Sequence, residues 1–266
     1  MLNIIVFVKQ VPDIDLVRMD PETGNLVRTG VPSLMNPLDT NALEAAIRTK
    51  EQYCGTVTAV TMGPPAAEAV LREALSVGAD NAILCSGREF GGADTLSTSY
   101  VLVQAAKQFG EFDLIFCGKE STDGATGQMG SQLAERFDAA QVSSLYIIDS
   151  IDESAKKVIA RRELPDGIET VEATLPCLFT VAKTNYPPRI PNLKGYLASK
   201  KAEITVLGPN DIKDIDLSKA GVPGSGTIVP KIYPPELPEA GQIIDEGDVR
   251  LSAHKLVGIL ADNGCL

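Results

Sequence analysis

The chain has 266 residues, 44% of them hydrophobic and 22% charged, which is the profile of a globular protein and excludes a collagen, a disordered chain or a membrane-spanning bundle. Its 24 Lys and Arg face 35 Asp and Glu, a formal net charge of -11 at pH 7, so no nucleic-acid partner is expected. There is no Trp and a single His, so a Ser-His-Asp triad, a multi-histidine metal site or a thiolate-histidine pair would each have to pass through His254.

The first strand is expected at residues 3–8. The apolar run that contains it is too short for a signal or membrane segment and has no basic residues before it. A helix at 38–52 and a strand at 56–62 follow. A helix carrying Val70, Leu71, Ala74 and Leu75 leads to a strand at 82–85, then a helix at 95–109, a strand at 114–117 and a helix at 126–137. Strands alternating with helices predict an α/β fold, a doubly wound and mostly parallel, Rossmann-like sheet with right-handed crossovers. After residue 140 the pattern turns antiparallel, with strands at 141–148, 157–163 and 168–174 and a turn at Pro165-Asp166-Gly167, read as an extension of the sheet. Residues 183–201 hold five basic residues, no acidic one and three prolines, which reads as a projecting basic loop. Beyond Gly208 the chain is rich in Pro, Gly and Asp up to a last helix with Val249, Ala253, Leu256, Val257 and Leu260 at helical spacing, Gly264 as its cap and His254 as a surface residue. The organisation is therefore an α/β domain over 1–207, including a loop at 186–201, and a C-terminal arm over 208–266. The five cysteines form no CxxC pair and are odd in number, which suits a reducing cytoplasm.

Ligands of such sheets sit beyond the carboxyl ends of the strands. Four segments should share that rim: the one starting at Lys9, Met62-Gly63-Pro64-Pro65, Gly91-Gly92-Ala93-Asp94-Thr95, and 118–130. The last sets glycines and hydroxyls at a strand-to-helix junction, where uncovered main-chain N–H groups suit a phosphate or pyrophosphate. The competing reading is helix capping by Thr126 or Asp123 with close packing at Gly127, Gly130 and Ala134. Asp94 to Ser99 offers a helix cap and a row of hydroxyls, either a second place for pyrophosphate oxygens or a cap alone. Asn36-Pro37-Leu38-Asp39 opens the first helix with Pro near its first position and a carboxylate in its first turn, which needs no function to explain it. GxxxxGK[ST] is absent and the first strand is not followed by GxGxxG, which argues against a P-loop NTPase or an ordinary Rossmann dehydrogenase.

Several separate stretches resemble the β subunit of electron transfer flavoproteins. They are Val8-Lys9-Gln10-Val11-Pro12-Asp13, Asn36-Pro37-Leu38-Asp39 with Glu44-Ala45-Ala46, Gly118-Lys119 through Gln128, Arg161 through Pro176, and Pro188-Arg189-Ile190-Pro191-Asn192-Leu193 followed by Ala198-Ser199-Lys200-Lys201. The resemblance runs over essentially the whole chain. It implies a heterodimer with an α subunit that holds one FAD, while this chain binds an adenine nucleotide, AMP in most members and a second FAD in electron-bifurcating ones. Gly91 through Ser99 looks like the bifurcating pattern, with Ser97 a departure where Ala is more usual, and FAD is the cofactor expected. The resemblance further implies NADH as donor, ferredoxin or flavodoxin and an acyl-CoA dehydrogenase as partners, and no catalytic side chain or metal.

Carried over by position, the backbone around Phe7, with Asn36, Asp39 and Met62, would line the adenosine end. Lys119 to Met129 would wrap the phosphates, with Ser121, Asp123, Gly124, Thr126, Gly127, Gln128 and Met129 contributing, and Asp94, Thr95 and Thr98 would receive the further phosphate of FAD. Leu193 would anchor the recognition loop, and Arg189, Lys194, Lys200 and Lys201 would steer an acidic dehydrogenase; the alternative is a merely solvated basic loop. Three rival readings are an AMP-binding carrier subunit that does not bifurcate, a nucleotide-binding regulatory module of the universal-stress-protein kind, and a nucleotide-alpha hydrolase, the last weakened by the lack of a catalytic base.

Overall fold

The computed structural model describes residues 1–13, 32–230 and 241–266, together with the backbone of two short strands at 18–19 and 26–27. In chain order the elements are β1 (Asn3–Phe7), β2 (Gln10–Pro12), β3 (Arg18–Met19), β4 (Leu26–Val27), β5 (Ser33–Met35), α1 (Pro37–Tyr53), β6 (Thr56–Met62), α2 (Glu68–Val77), β7 (Asn81–Cys85), α3 (Thr95–Ala106) and β8 (Leu114–Gly118). They continue as α4 (Met129–Phe137), β9 (Ala140–Val142), β10 (Leu145–Asp152), β11 (Lys157–Leu164), β12 (Gly167–Thr174), β13 (Cys177–Val181), α5 (Leu193–Ser199), β14 (Thr205–Leu207) and α6 (Val249–Asp262).

The main sheet has seven strands in the order β14-β7-β6-β1-β8-β13-β9, and every neighbouring pair is parallel. Its central strands are apolar on both faces, as a sheet covered on both sides requires. Ile4 and Val6 of β1 join Leu43, Ile47, Leu71 and Phe116 in one core under α1 and α2. Ile5 and Phe7 join Val60, Val101, Leu133 and Leu178 in a second core under α3 and α4. Burial of each such side chain contributes about 1.5–3 kcal/mol, which fixes the register of β1 against β6 and β8.

The expected α/β architecture is present, with differences that have physical causes. Residues 141–148 are two strands, because Ser144 takes a left-handed backbone (φ 55) and parts β9, in the main sheet, from β10. The antiparallel strands β10-β11-β12 form a sheet of their own and do not extend the main one. Strand β13, which the periodicity did not mark, lies inside the main sheet between β8 and the edge strand β9, with all five residues buried. Helix α4 starts at Met129 and not at Thr126, since Ala125 (φ 47) and Gly127 (φ 62) sit in the left-handed region.

The basic segment is not a bare projecting loop: it contains α5, which packs on α2. After β14 the chain stays on the α3 side of the domain as far as Thr227, burying Ile212 and Ala220 and bonding Thr227 to Asp94. Helix α6 ends as expected, with Gly264 at φ 68 beyond Asn263, and it leaves Val249, Leu251, Leu256 and Val257 exposed.

Candidate functional site

The strand order reverses between β1 and β8, since β6 and β7 continue to one side of β1 while β8 and β13 lie on the other. Such a reversal opens a crevice at the carboxyl ends of the two strands. Asp39, in the first turn of α1, sits under it and is 6% exposed. Its Oδ2 accepts from Lys9 N at 2.8 Å, just past β1, and its Oδ1 accepts from Gly118 N at 2.9 Å, at the end of β8. One carboxylate thus ties the two strand ends together. Burial pushes its pKa up to about 7, against the pull of the Asn36 side chain and of these two N–H groups. A Cβ on Gly118 would collide with this carboxylate and with the start of α1, so the close approach requires glycine there.

Asn36, the residue before α1, spends its side chain on the neighbouring loop: Nδ2 donates to Glu120 O at 2.9 Å and Oδ1 accepts from Thr122 N at 3.2 Å. From the end of β1, Lys9 Nζ donates to both oxygens of Asp123, at 2.7 and 2.9 Å, and to Ser121 Oγ at 3.3 Å. Burial raises the Asp123 pKa, but Lys9 and Ser121 outweigh it and hold the carboxyl below the usual range. The loop after β8 is therefore fastened at its first half from β1 and α1.

Its second half is left open. The N–H groups of Gly124 and Ala125 both return to Ser121 O. Those of residues 126–131 meet no acceptor among the described residues, and α4 has no side-chain cap. The capping reading for Thr126 or Asp123 is thereby overturned: Asp123 pairs with Lys9, and the helix begins beyond Thr126. Successive free N–H groups at a helix start, with left-handed residues just before it, make a concavity suited to an anion.

Helix α3 begins beside it. Asp94 caps α3, Oδ1 accepting from Ser97 N at 3.1 Å, and its Oδ2 accepts from Thr227 N at 2.9 Å and Thr227 Oγ1 at 3.0 Å. Burial raises its pKa, while the bonds from Ser97 and Thr227 bring it below the usual range. Thr95 Oγ1 donates to Gln128 Oε1 at 2.9 Å and accepts from Gln132 Nε2 at 3.2 Å, so the first turns of α3 and α4 are linked. Ser97 Oγ and Gln132 Oε1 are buried there without a hydrogen-bond partner.

The sequence-derived residues thus fall into two groups. Asn36, Asp39, Ser121, Asp123, Gly124, Thr126, Gly127, Gln128, Met129, Asp94 and Thr95 share the rim, with Thr98 half-buried in the first turn of α3 and Lys119 exposed. Met62 is half-buried at the end of β6. The Phe7 ring is 5% exposed and lies against Phe137, 6.1 Å between centroids, so only its main chain belongs to the rim. Two contributors went unnamed as site residues. Lys9 is signalled by a basic residue ending an apolar strand, and Gln132 by its place one helical turn after Gln128.

The second group, 186–201, lies away from the rim. Arg189 is not a free steering charge: its guanidinium is held by Glu44 Oε2 at 2.8 Å and Glu51 Oε1 at 2.6 Å, and the Glu44 side chain is only 2% exposed. Leu193 is 74% exposed, and Ile190, Tyr196 and Leu197 are exposed near it. Lys194 and Lys201 are exposed, and Lys200 Nζ lies 4.4 Å from the centroid of the Tyr196 ring. All five cysteines are free thiols; burial pushes the pKa of Cys85 and of Cys177 up to about 12. Among the described residues no cluster of His, Cys, Asp or Glu could hold a metal ion, and no helix is long and apolar enough to cross a membrane.

Residues 23–212 match the family model described as the electron transfer flavoprotein domain. The chain is 42% identical over 257 residues to the electron transfer flavoprotein subunit beta of Thermoanaerobacterium thermosaccharolyticum, covering 96% of each chain. It is 40% identical to the caffeyl-CoA reductase-Etf complex subunit CarD of Acetobacterium woodii, covering 98% of each. With protein FixA of Azorhizobium caulinodans it shares 38% identity over 88% of this chain and 85% of the other.

Proposed function

This chain belongs to the electron transfer flavoprotein family, with beta subunits among its relatives, and from that premise we propose that it binds FAD at the rim of its sheet and serves, with an α subunit, in electron bifurcation. The single observation that carries the nucleotide reading is the run of unpaired main-chain N–H groups at 126–131, set beside the reversal point of the sheet. FAD in place of AMP is supported by the neighbouring start of α3, where Thr95 is already bonded to Gln128 and where Ser97 Oγ and Gln132 Oε1 are buried without partners. A buried polar atom left unpaired costs about 1–3 kcal/mol, and the hydroxyl and phosphate groups of a dinucleotide would satisfy atoms of this kind. The residues present therefore fit the group.

A flavin held by the residues of this rim would supply the redox chemistry, with NADH as electron donor and with ferredoxin or flavodoxin and an acyl-CoA dehydrogenase-type partner as acceptors. The side chains of this subunit bind and orient. Residues 126–131 cradle phosphate oxygens with main-chain N–H groups; Asn36 and Lys9 hold the loop that presents them; Asp39 sets the spacing of the two strands beneath. Leu193 and its apolar neighbours meet the dehydrogenase, with Lys194, Lys200 and Lys201 as the free positive charges around them. The exposed apolar side chains of α6 suit burial against the α subunit. The CarD relative is named as part of a CoA-ester reductase-Etf complex, which supports a partner of that class here.

A second reading, AMP in the same loop, is favoured by one observation: the Asp94 carboxylate stands at the start of α3 and repels a phosphate placed directly on that helix end. The test is anaerobic NADH oxidation by the heterodimer. Ferredoxin reduction that requires the dehydrogenase and its unsaturated acyl-CoA together is the expected result. Normal exchange of electrons with the dehydrogenase, and no NADH oxidation at all, would overturn bifurcation in favour of a simple carrier.

A further inference from the structure

The exposed face of α5 is apolar, yet the helix has only seven residues, far too few to be stable alone in water. Something must hold it. Asn192 caps its start, Oδ1 accepting from Gly195 N at 2.8 Å. At its other end Arg72, on α2, reaches across: NH1 donates to Ser199 O at 2.6 Å and to Ala202 O at 2.5 Å. The same guanidinium is aligned by Glu68, one turn earlier on α2, through Nε at 2.9 Å and NH2 at 2.8 Å. A positive group on the last carbonyls of a helix satisfies acceptors that the helix itself cannot reach and complements its dipole. Between the two ends, Gly195 lies so close to the Ser76 carbonyl of α2 that a Cβ there would collide with it.

We propose that Arg72 is a positioning residue for partner recognition: it clamps the last carbonyl of α5, that of Ser199, and the Ala202 carbonyl just beyond the helix onto α2 and so presents Ile190, Leu193 and Leu197 as a preset apolar face. The proposal rests on the reading of 186–201 as the surface that meets the dehydrogenase. Arg72 itself does not reach that partner. It acts by removing the ordering cost that a loose segment would meet on docking. The clamp and the nucleotide rim are on different elements, because α5 is fastened to α2, which packs over β6 and β7 in the first core, whereas the free N–H groups at 126–131 lead into α4, which packs in the second core on the other face of the sheet. Loss of the clamp should therefore weaken docking and leave the flavin site intact.

The experiment uses the purified heterodimer and a reduced acyl-CoA dehydrogenase, with the heterodimer concentration varied. Arg72→Ala is expected to raise KM about tenfold with kcat and bound nucleotide unchanged, and Arg72→Lys, which keeps a donor for one carbonyl, to recover about half of that change on a logarithmic scale. Gly195→Ala, which leaves Arg72 in place and pushes α5 off α2, is expected to raise KM in the same way and carries the test independently of any folding defect in the arginine variants. Unchanged KM in Arg72→Ala, beside a raised KM in Leu193→Ala, would overturn the proposal whatever Gly195→Ala does. Unchanged KM in Leu193→Ala would instead overturn the recognition reading beneath it.

Discussion

The rim of the sheet and the segment 186–201 are both loop-rich and both candidate contact sites, yet they are held in opposite ways. At the rim, acidic and amide side chains accept main-chain N–H groups: Asp39 takes those of Lys9 and Gly118, and Asn36 takes that of Thr122. What remains free there is a row of N–H donors. In the segment 186–201, guanidinium groups bind carboxylates and carbonyls, Arg189 on Glu44 and Glu51 and Arg72 on Ser199 and Ala202. What remains free there is an apolar group, Ile190, Leu193 and Leu197, with the exposed Lys194, Lys200 and Lys201 around it. The comparison teaches that the group spent on scaffolding decides the chemistry left over: spare donors suit an anion, and spare apolar side chains suit a protein surface.

Substitutions that confuse the two regions would break this comparison. The largest effect is expected from Gly118→Ala, whose Cβ would run into Asp39 and the start of α1. It should lower stability by about 3 kcal/mol, read as a fall in the urea midpoint together with loss of bound nucleotide. Asp39→Asn comes next, because an amide presents a donor to one of the two N–H groups that the carboxylate accepts; about 1–3 kcal/mol should be lost.

That variant also has a pH signature. The Asp39 pKa is raised from 3.8 to about 7 in the folded chain, so the folded state binds more proton than the unfolded one between these values. This group's contribution to stability therefore falls as pH rises through that window, by at most about 1.4 kcal/mol per pH unit, and is level above it. Urea midpoints taken from about pH 4.5 to about pH 8 should show this slope in the native chain and lack it in Asp39→Asn. Parallel curves would remove Asp39 from the account.

On the other side of the comparison, Leu193→Ala should raise KM for the dehydrogenase about tenfold with unchanged nucleotide content. Equal loss of bound flavin in that variant would mean that the two regions are not separate. The smallest effect is expected from Thr95→Val, which removes the link between α3 and α4 while leaving the clamp on α5 untouched. Retention of FAD on dialysis should fall about threefold with KM unchanged; a matching fall in AMP retention, with no FAD present, would sharpen the comparison toward the AMP reading.

Much of the fold was legible because local patterning and tertiary role agree in most of it. Strand β6 was bounded correctly at Thr56 and Met62, and α1, α2, α3 and β7 were placed within a few residues by the spacing of their apolar side chains. Strand β13 escaped, although Cys177-Leu178-Phe179-Thr180-Val181 is a short, nearly continuous apolar run of the kind buried on both faces; the antiparallel pattern just before it drew the assignment away. The break at Ser144 depends on one positive φ that no residue type announces. At the rim, the loop residues were legible from glycines and hydroxyls at a strand-to-helix junction. The work of Asp39 was not, since a carboxylate in a helix's first turn is explained without any long-range partner, and its partners are main-chain N–H groups, which leave no mark in a sequence. Arg189 was misjudged for the same reason: the acidic residues that hold it, Glu44 and Glu51, come from a helix more than a hundred positions earlier.

One determination bears on all of this at once: the nucleotides released by acid from the purified heterodimer, separated and counted per complex. The account predicts about two FAD and no AMP, one flavin from each subunit. About one FAD and one AMP would contradict it and leave this chain as the structural, partner-docking subunit of a simple electron carrier.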